Sequence, residues 1–325
     1  MMSTGPGSGG VAVATPAAPP VRDPAVGLWA AAGMCWFATA WLLLLAGDGA
    51  GHHAGSLEGS TWPWTLRAGA FLAGWLVMVG AMMLPTVVPL VRLFAVVSAR
   101  APRPGPARAA LLAGYLAVWT AFAAVALVAA TGLAGLVGAW SWLAARPAVV
   151  LGAALVLAGA FQFSTLKQAC LTACRSPALV LHRHYRRGAA GGLRLGLRHG
   201  LHCLGCCWAL MLLMVVAGAA SLYWMLALTA VMVAEKTTRG GARLARPVGV
   251  ALIVAGITLA ATDLVGSEPV HTAAGHGHGA DPGTVALLVA GAVLGAQLIA
   301  PAASRRRRGR ATGDMTWRRS TSKWR

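Results

Sequence analysis

The sequence predicts an all-α fold, a polytopic transmembrane helical bundle of about seven to eight spans with both termini on the cytoplasmic side. Only 11% of the 325 residues are charged and 58% are hydrophobic, whereas an ordinary soluble domain carries about 25% charged residues. Apolar runs long enough to cross a bilayer, about 20 residues each, recur along the chain. Because lipid offers the backbone no hydrogen-bonding partners, these continuous runs favour helices over a barrel of alternating strands.

Three regions follow from composition. Residues 1–25, rich in Gly, Pro, Ala and Ser, are predicted to be a disordered cytoplasmic leader. Residues 26–302 are predicted to form the transmembrane helical domain, and residues 303–325 a basic cytoplasmic tail. The tail is interpreted either as an anchor that contacts anionic lipids of the bilayer or as a solvated stop-transfer run. The second span contains Pro85 and Pro89, which are expected to kink it or end it early. The eight candidate spans lie near residues 26–46, 67–92, 110–136, 147–166, 199–219, 222–235, 247–265 and 284–302.

The distribution of Lys and Arg sets the orientation. With both termini inside, the outer loops contain only Arg67 and Arg146, and the other 25 of the 27 basic residues lie on the inner side. The net charge of +19 is therefore a topology signal. No nucleic-acid-binding signature accompanies it, so nucleic acid is not an expected partner.

The chemistry of the chain is concentrated in two cysteine clusters. Cys170 and Cys174 are four residues apart and can face the same way on a helix. In the second cluster, at the start of the fifth span, the His and Cys positions fall within an arc of roughly 140°, with Met214 on the same face two turns deeper. Soft sulfur with imidazole is the ligand set of zinc or copper. The predicted metal ligands are Cys170, Cys174, His199, His202, Cys203, Cys206 and Cys207.

Other interpretations remain open at this point. Cys203 and Cys206 form a C-x-x-C pair at a helix start, which is also typical of a membrane thiol-disulfide oxidoreductase. Cysteines can also serve as small apolar packing residues in a passive assembly subunit. The sequence has no phosphate-binding glycine motif and no Ser-His-Asp pattern, so enzymatic activity stays open and a non-enzymatic role is favoured.

Three further polar features have simpler explanations. Glu235 closes the sixth span beside Lys236, and a local ion pair at the membrane interface is the favoured interpretation. Met82 and Met83 are interpreted as apolar filling rather than thioether ligands. The histidines predicted on the outer side are assigned to flexible solvated loops; they are His52, His53, His271, His276 and His278.

Four strings carry a resemblance to a known family. They are AMMLPTVVPLV at 81–91, GYLAVW at 114–119, LKQACLTACRSP at 166–177 and GLRHGLHCLGCCWALMLLM at 196–214, with a continuation from Leu222 to Lys236. Over about residues 65–262 the sequence resembles an uncharacterised bacterial family described as predicted metal-binding integral membrane proteins, the domain of unknown function 2182.

The resemblance implies a multi-span bundle with a bound metal, and it places this family's metal ligands at Cys170, Cys174, His199, Cys203, Cys206 and Cys207. The expected protein is a multi-pass protein of a bacterial plasma membrane that binds zinc or copper near the cytosolic face. Its expected role is metal handling, or support of a partner metalloprotein or metal carrier.

Overall fold

The computed structural model describes residues 23–46, 62–99, 101, 103–217, 222–238 and 240–265, and within these ranges the chain forms helices and no strand. The helices are α1 (Pro24–Ala46), α2 (Trp64–Ser98), α3 (Pro104–Ala139), α4 (Ser141–Ala144), α5 (Pro147–Phe161), α6 (Thr165–Arg175), α7 (Pro177–His184), α8 (Gly188–Ala217), α9 (Leu222–Thr237) and α10 (Gly241–Val265). The first seven predicted spans overlap these helices. The fourth crosses the break from α5 into α6, and the fifth extends to residues 218 and 219, which lie outside the described residues. The leader up to residue 22, the outer histidines, the span at 284–302 and the tail at 303–325 lie outside the described residues.

Five of these helices, α1, α2, α3, α8 and α10, are long and apolar enough to cross a membrane. A sixth crossing is available if α5 and α6, which meet at a bend of 65°, together make one broken span. The all-α class is therefore confirmed for the described part of the chain. The total number of spans and the side on which the termini lie stay predictions.

The helix α2 continues through both of its prolines to Ser98. Of the two expected effects, a kink or an early end, the early end does not occur. Proline at position 85 cannot donate to the carbonyl of Ala81, four residues earlier. The indole Nε1 of Trp36 on α1 donates to that carbonyl at 3.1 Å. A neighbouring helix thus supplies the hydrogen bond that the proline removes, as is common within membranes.

The helices α1 and α2 run antiparallel, and an ion pair joins them at one end. Arg92 Nη2 lies 2.8 Å from Asp23 Oδ2, just before α1 begins. The hydrogen bonds that Arg92 and the backbone N–H of Ala25 donate to the exposed carboxylate hold the pKa of Asp23 below its usual value.

Glycine brings two helix pairs into backbone contact. On α8, Gly192, Gly196 and Gly200 recur every four residues, and a Cβ at Gly196 would overlap the Leu111 carbonyl oxygen of α3. The residues of α3 that these glycines contact increase in number as the glycine number increases, so α3 and α8 are parallel. Because interfaces between membrane helices depend on close packing of small residues, this stripe fixes the rotation of α8 about its axis.

The pair α5 and α10 is antiparallel and is packed in the same way. Gly152 faces the carbonyl oxygen of Gly256, and Gly159 faces that of Gly249. Gly152 and Gly159 therefore let the backbones of the two helices approach closely. This packing holds the end of α5 from which α6 departs.

The bend between α5 and α6 positions the first cysteine cluster. The helix α5 ends at Phe161, and Ser164 caps the new helix by accepting a hydrogen bond from the Lys167 backbone N–H at 3.1 Å. A serine at this position stabilises a helix start. As a result α6 turns by 65° and packs on α8, the helix that carries the second cluster.

Candidate metal centre

Three cysteines on α8 lie at the centre of the site. Cys203, Cys206 and Cys207 are each only 1% exposed. The thiols of Cys206 and Cys207 lie 3.0 Å and 2.9 Å from the Cys203 carbonyl oxygen, to which they donate. These local hydrogen bonds orient both sulfurs toward the helix turn that carries Cys203.

A fourth cysteine comes from α6. The Sγ atom of Cys174 lies 3.9 Å from the Sγ atom of Cys206, so the structure brings the two predicted clusters together at this pair. Cys170, one turn earlier, packs on α8 at Gly205, where its sulfur lies 2.6 Å from the position that a Cβ would take. Both α6 cysteines are half-buried, whereas the three on α8 are buried.

The amine of Lys236, on α9, lies among the sulfur atoms. Its Nζ atom is 3.1 Å from Cys203 Sγ, 3.8 Å from Cys207 Sγ and 3.6 Å from the thioether Sδ of Met83 on α2. Met83 Sδ is itself 4.0 Å from Cys203 Sγ. We refer to the sulfur atoms of Met83, Cys174, Cys203, Cys206 and Cys207 as the sulfur cluster. Lys236 is 8% exposed, and a buried ammonium is costly unless nearby groups compensate its charge.

Two aromatic side chains border the sulfur cluster. The hydroxyl of Tyr115 on α3 lies 3.2 Å from Cys203 Sγ. The ring of His199 lies 6.0 Å from the Tyr115 ring, and the side chain is 3% exposed. Among the described residues no hydrogen-bonding partner meets His199 Nδ1. His202 is half-buried, and its Nδ1 lies 2.6 Å from the Arg198 carbonyl oxygen of its own helix.

The expected local pair of Glu235 and Lys236 is wrong. Glu235 Oε2 lies 2.7 Å from Lys167 Nζ, and both side chains are buried. Adjacent helical residues point about 100° apart, so Glu235 turns toward α6 while Lys236 turns toward the sulfur cluster. Arg175 at the end of α6 also donates to the backbone carbonyls of Glu235 and Thr238. These contacts join α6 to α9 next to the sulfur cluster.

The atoms at this site favour soft metal ions. Four thiols and a thioether lie close together, and the nearby carboxylate of Glu235 is paired with Lys167. Sulfur bonds of about 2.3 Å to a shared ion place two sulfurs roughly 3.8–4.0 Å apart, which fits the 3.9 Å between Cys174 and Cys206. Across the described ranges, however, no group of three or more His, Cys, Asp or Glu side chains has the arrangement of a metal site. Lys236 lies between sulfurs, so a metal with three ligands requires side-chain rearrangement.

Sequence reasoning did not identify the roles of Lys236 and Tyr115, and it interpreted Met83 as apolar filling. All three lie in strings that carried the family resemblance. Met83 lies in the string at 81–91, Tyr115 in the string at 114–119, and Lys236 ends the continuation. Each of these strings contributes one side chain to the same buried point. The location of the three residues in strings that resemble the family was therefore the sequence feature that could have assigned them to the site.

Comparison with known families gives one match. A model of the PpoB2 family, described as a copper chaperone, matches residues 72–259, which is more than half of the chain. No curated protein and no solved structure matches significantly. The expectation of a metal-related family is confirmed, and its narrower form, the domain of unknown function 2182, stays a prediction. The matched region begins in α2, ends in α10 and contains every residue of the sulfur cluster. The chain belongs to the PpoB2 copper chaperone family.

Proposed function

We propose that this protein is a copper chaperone of the bacterial plasma membrane that carries Cu(I) as cargo in the sulfur cluster and transfers it to a partner metalloprotein or metal carrier. The observation that carries the proposal is the meeting of sulfur atoms from three helices, α2, α6 and α8, at one buried point. Membership of a copper chaperone family supports the choice of cargo. The five apolar helices support the location.

The composition of the site supports Cu(I) over zinc. Thiolate and thioether ligands are soft and select Cu(I), whereas zinc accepts imidazole and carboxylate as readily as sulfur. Met83 places a thioether 4.0 Å from Cys203 Sγ, and thioethers are uncommon zinc ligands. Cu(I) is therefore the proposed cargo, and zinc is expected to bind more weakly.

The charge of Lys236 supports the same choice. When two thiols bind Cu(I) they release two protons, and the unit of two thiolates and one monovalent copper carries a net charge of −1. A single ammonium 3.1 Å from Cys203 Sγ compensates this charge. A four-thiolate zinc site carries −2 and would leave one charge uncompensated in a low-dielectric interior. In the proposed loaded state Lys236 shifts away from the ion and remains its counter-charge.

The graded exposure of the cysteines suggests a route for the cargo. Cys170 and Cys174 are half-buried on α6, and Cys203 is buried on α8. Cu(I) would bind first at the α6 cysteines and move to Cys206 and Cys203 by exchange of one thiolate ligand at a time. His199, whose Nδ1 has no hydrogen-bonding partner in the described part of the chain, is an additional proposed ligand next to Cys203. Delivery to the partner would reverse these steps.

The decisive experiment is a competition titration of the detergent-purified full chain with a chromophoric Cu(I) chelator in the absence of oxygen. One tightly bound Cu(I) per chain is expected. Replacing Cys203 and Cys206 by serine should weaken binding at least a hundredfold, since thiolate ligands are lost. Cys35→Ser is the matched control, because Cys35 lies at the α1–α2 contact, against Gly80. Equal affinity in all three proteins, or tighter binding of zinc than of Cu(I), would refute the proposal.

One distance also favours thiol-disulfide chemistry as a second candidate. Cys174 and Cys206 lie on different helices with their sulfurs 3.9 Å apart, so they can form a disulfide after a small movement. This reaction would release two protons and pass two electrons to a quinone or to an oxidised dithiol protein. The sequence pointed instead to Cys203 and Cys206. A chain that cycles with quinone in a Cys174-dependent way, and that retains no Cu(I), would favour the oxidoreductase.

A further inference from the structure

A basic pocket lies at the end of the bundle where α8 begins. Its volume is about 310 Å³, and it is lined by Arg183, His184, Tyr185, Arg186, Arg194 and Arg198. Arg183 comes from the end of α7, Arg186 from the connection that follows, and Arg194 and Arg198 from successive turns of α8. Four arginine residues, all exposed, therefore line one cavity. This pocket is separate from the sulfur cluster, and the proposed transfer of copper does not use it.

Among the described residues, the arginines of the pocket have no acidic partner within ion-pairing distance. Of the described carboxylates, Asp23 pairs with Arg92, Glu235 pairs with Lys167, and Asp263 lies near the end of α10. The sequence explains this, because it contains no Asp or Glu between residues 59 and 234. Four like charges around one cavity repel each other, and an anion that binds there relieves the repulsion.

The connection that forms the pocket is held in place by neighbouring groups. The ring of Tyr185 contacts Phe94 on α2, with ring centroids 6.0 Å apart. His184 Nδ1 lies 3.1 Å from the Val180 carbonyl oxygen of α7. Gly188 has a φ of +82°, a conformation that favours glycine and turns the chain sharply into α8. Arg183 and Arg186 thus project from an anchored turn.

The size and position of the pocket indicate the ligand. Its 310 Å³ is about ten times the volume of one water molecule, roughly 30 Å³. Guanidinium groups match the oxygen geometry of phosphate. On α8 the two arginines lie beside a row of leucines, of which Leu193 is 40% exposed and Leu201 is 58% exposed. A charged pocket next to exposed leucines on a membrane helix matches a headgroup with its acyl chains.

We propose that this pocket binds the phosphate group of an anionic phospholipid headgroup, with the acyl chains lying along the leucine row of α8. A soluble phosphate offers the same oxygens but has no acyl chains to cover the leucines. Lipid bound here would join the end of α7 to the first turns of α8. The last arginine of the pocket, Arg198, precedes Cys203 by five residues on the same helix.

Native mass spectrometry of the full chain in detergent tests the proposal. Phosphatidylglycerol, phosphatidylcholine and inorganic phosphate are added in separate titrations. Wild type should retain phosphatidylglycerol in preference to phosphatidylcholine. In Arg194→Gln/Arg198→Gln the apparent affinity for phosphatidylglycerol should fall about tenfold or more, because two charge-assisted hydrogen bonds are lost. The matched control is Arg243→Gln/Arg246→Gln, which removes the same charge from exposed positions at the start of α10.

The outcomes separate the two phosphate sources. Weaker phosphatidylglycerol binding in Arg194→Gln/Arg198→Gln, with unchanged binding in the α10 control, supports a lipid headgroup as the ligand. Pocket-dependent binding of inorganic phosphate that displaces phosphatidylglycerol supports the phosphate site and assigns it to a soluble ligand. An equal loss in both double variants, or no selectivity for phosphatidylglycerol in wild type, overturns the proposal. Arg183→Gln/Arg186→Gln, on the other wall of the pocket, gives a second variant if the first fails to fold.

Discussion

Replacing Lys236 by leucine tests how the site balances charge. Leucine has a volume similar to that of lysine but carries no charge and no atom that binds copper, so Lys236→Leu keeps much of the packing and removes the ammonium from the sulfur cluster. In the copper-free protein the change should be neutral or stabilising, because replacing a buried charge by an apolar side chain of similar volume often is. In the loaded protein it removes the counter-charge of the copper–thiolate unit, and Cu(I) affinity should fall.

The size of the loss follows from the geometry. The ammonium lies 3.1 Å from Cys203 Sγ and 3.8 Å from Cys207 Sγ. At these separations, with an effective dielectric constant of about 20, a pair of unit charges interacts by about 4–5 kcal/mol. Because Lys236 shifts away from the ion in the proposed loaded state, its charge lies about 6 Å from the copper–thiolate unit, and roughly half of this energy remains. The remaining 2–3 kcal/mol, again an order-of-magnitude figure, corresponds to roughly a 30- to 150-fold loss of Cu(I) affinity.

Chelator competition measures the Cu(I) affinity, and thermal unfolding in detergent measures the stability of the copper-free chain. The charge-retaining variant Lys236→Arg should recover most of the lost affinity. The combination expected for Lys236→Leu is weaker copper binding without loss of stability, which a purely structural lysine would not produce. Unchanged or tighter Cu(I) binding in Lys236→Leu would show that the amine competes with the metal, and it would refute the role of Lys236 as counter-charge.

Three further predictions concern the surroundings of the site. Glu235→Gln should destabilise the chain by about 3–5 kcal/mol in thermal unfolding, because it leaves the buried Lys167 ammonium unpaired. Removing both charges together should restore most of the stability. Equal losses of stability in the single and the double variant would contradict this. Gly196→Leu should abolish a monodisperse peak in size-exclusion chromatography, since the backbone of α3 leaves no space for a side chain at this position. Gly132→Leu should behave as wild type, because nothing lies within 4 Å of a Cβ there. Tyr115→Phe should weaken Cu(I) binding about 2- to 12-fold in chelator competition, the usual contribution of one hydrogen bond, and a loss above a hundredfold would indicate direct ligation by the phenol.

The helices and the α8 cysteines were predictable because each depends on a local pattern. Apolar runs mark the helices, and a helical period places Cys203, Cys206 and Cys207 on one side of α8. The distance between Cys174 and Cys206 was not predictable in the same way. It depends on the 65° bend between α5 and α6, which follows from a three-residue break that no strong sequence signal marks.

The expected ion pair between Glu235 and Lys236 was wrong for a reason that helix geometry explains. Charge proximity along the chain suggested a pair with Glu235, but neighbours in a helix diverge by about 100° and do not face each other. The correct partner, Lys167, is 68 residues away from Glu235. Long-range pairings of this kind depend on tertiary packing, here on the contact of α6 with α9, and local patterns carry no information about them.

The copper ligands can be identified most directly by X-ray absorption at the copper K-edge, measured on the Cu(I)-loaded full chain and on Cys174→Ser. We expect a first shell dominated by two or three sulfur atoms in wild type, and fewer sulfur neighbours in Cys174→Ser. A first shell of nitrogen and oxygen alone, or identical spectra for the two proteins, would contradict the assignment of the sulfur cluster as the copper site.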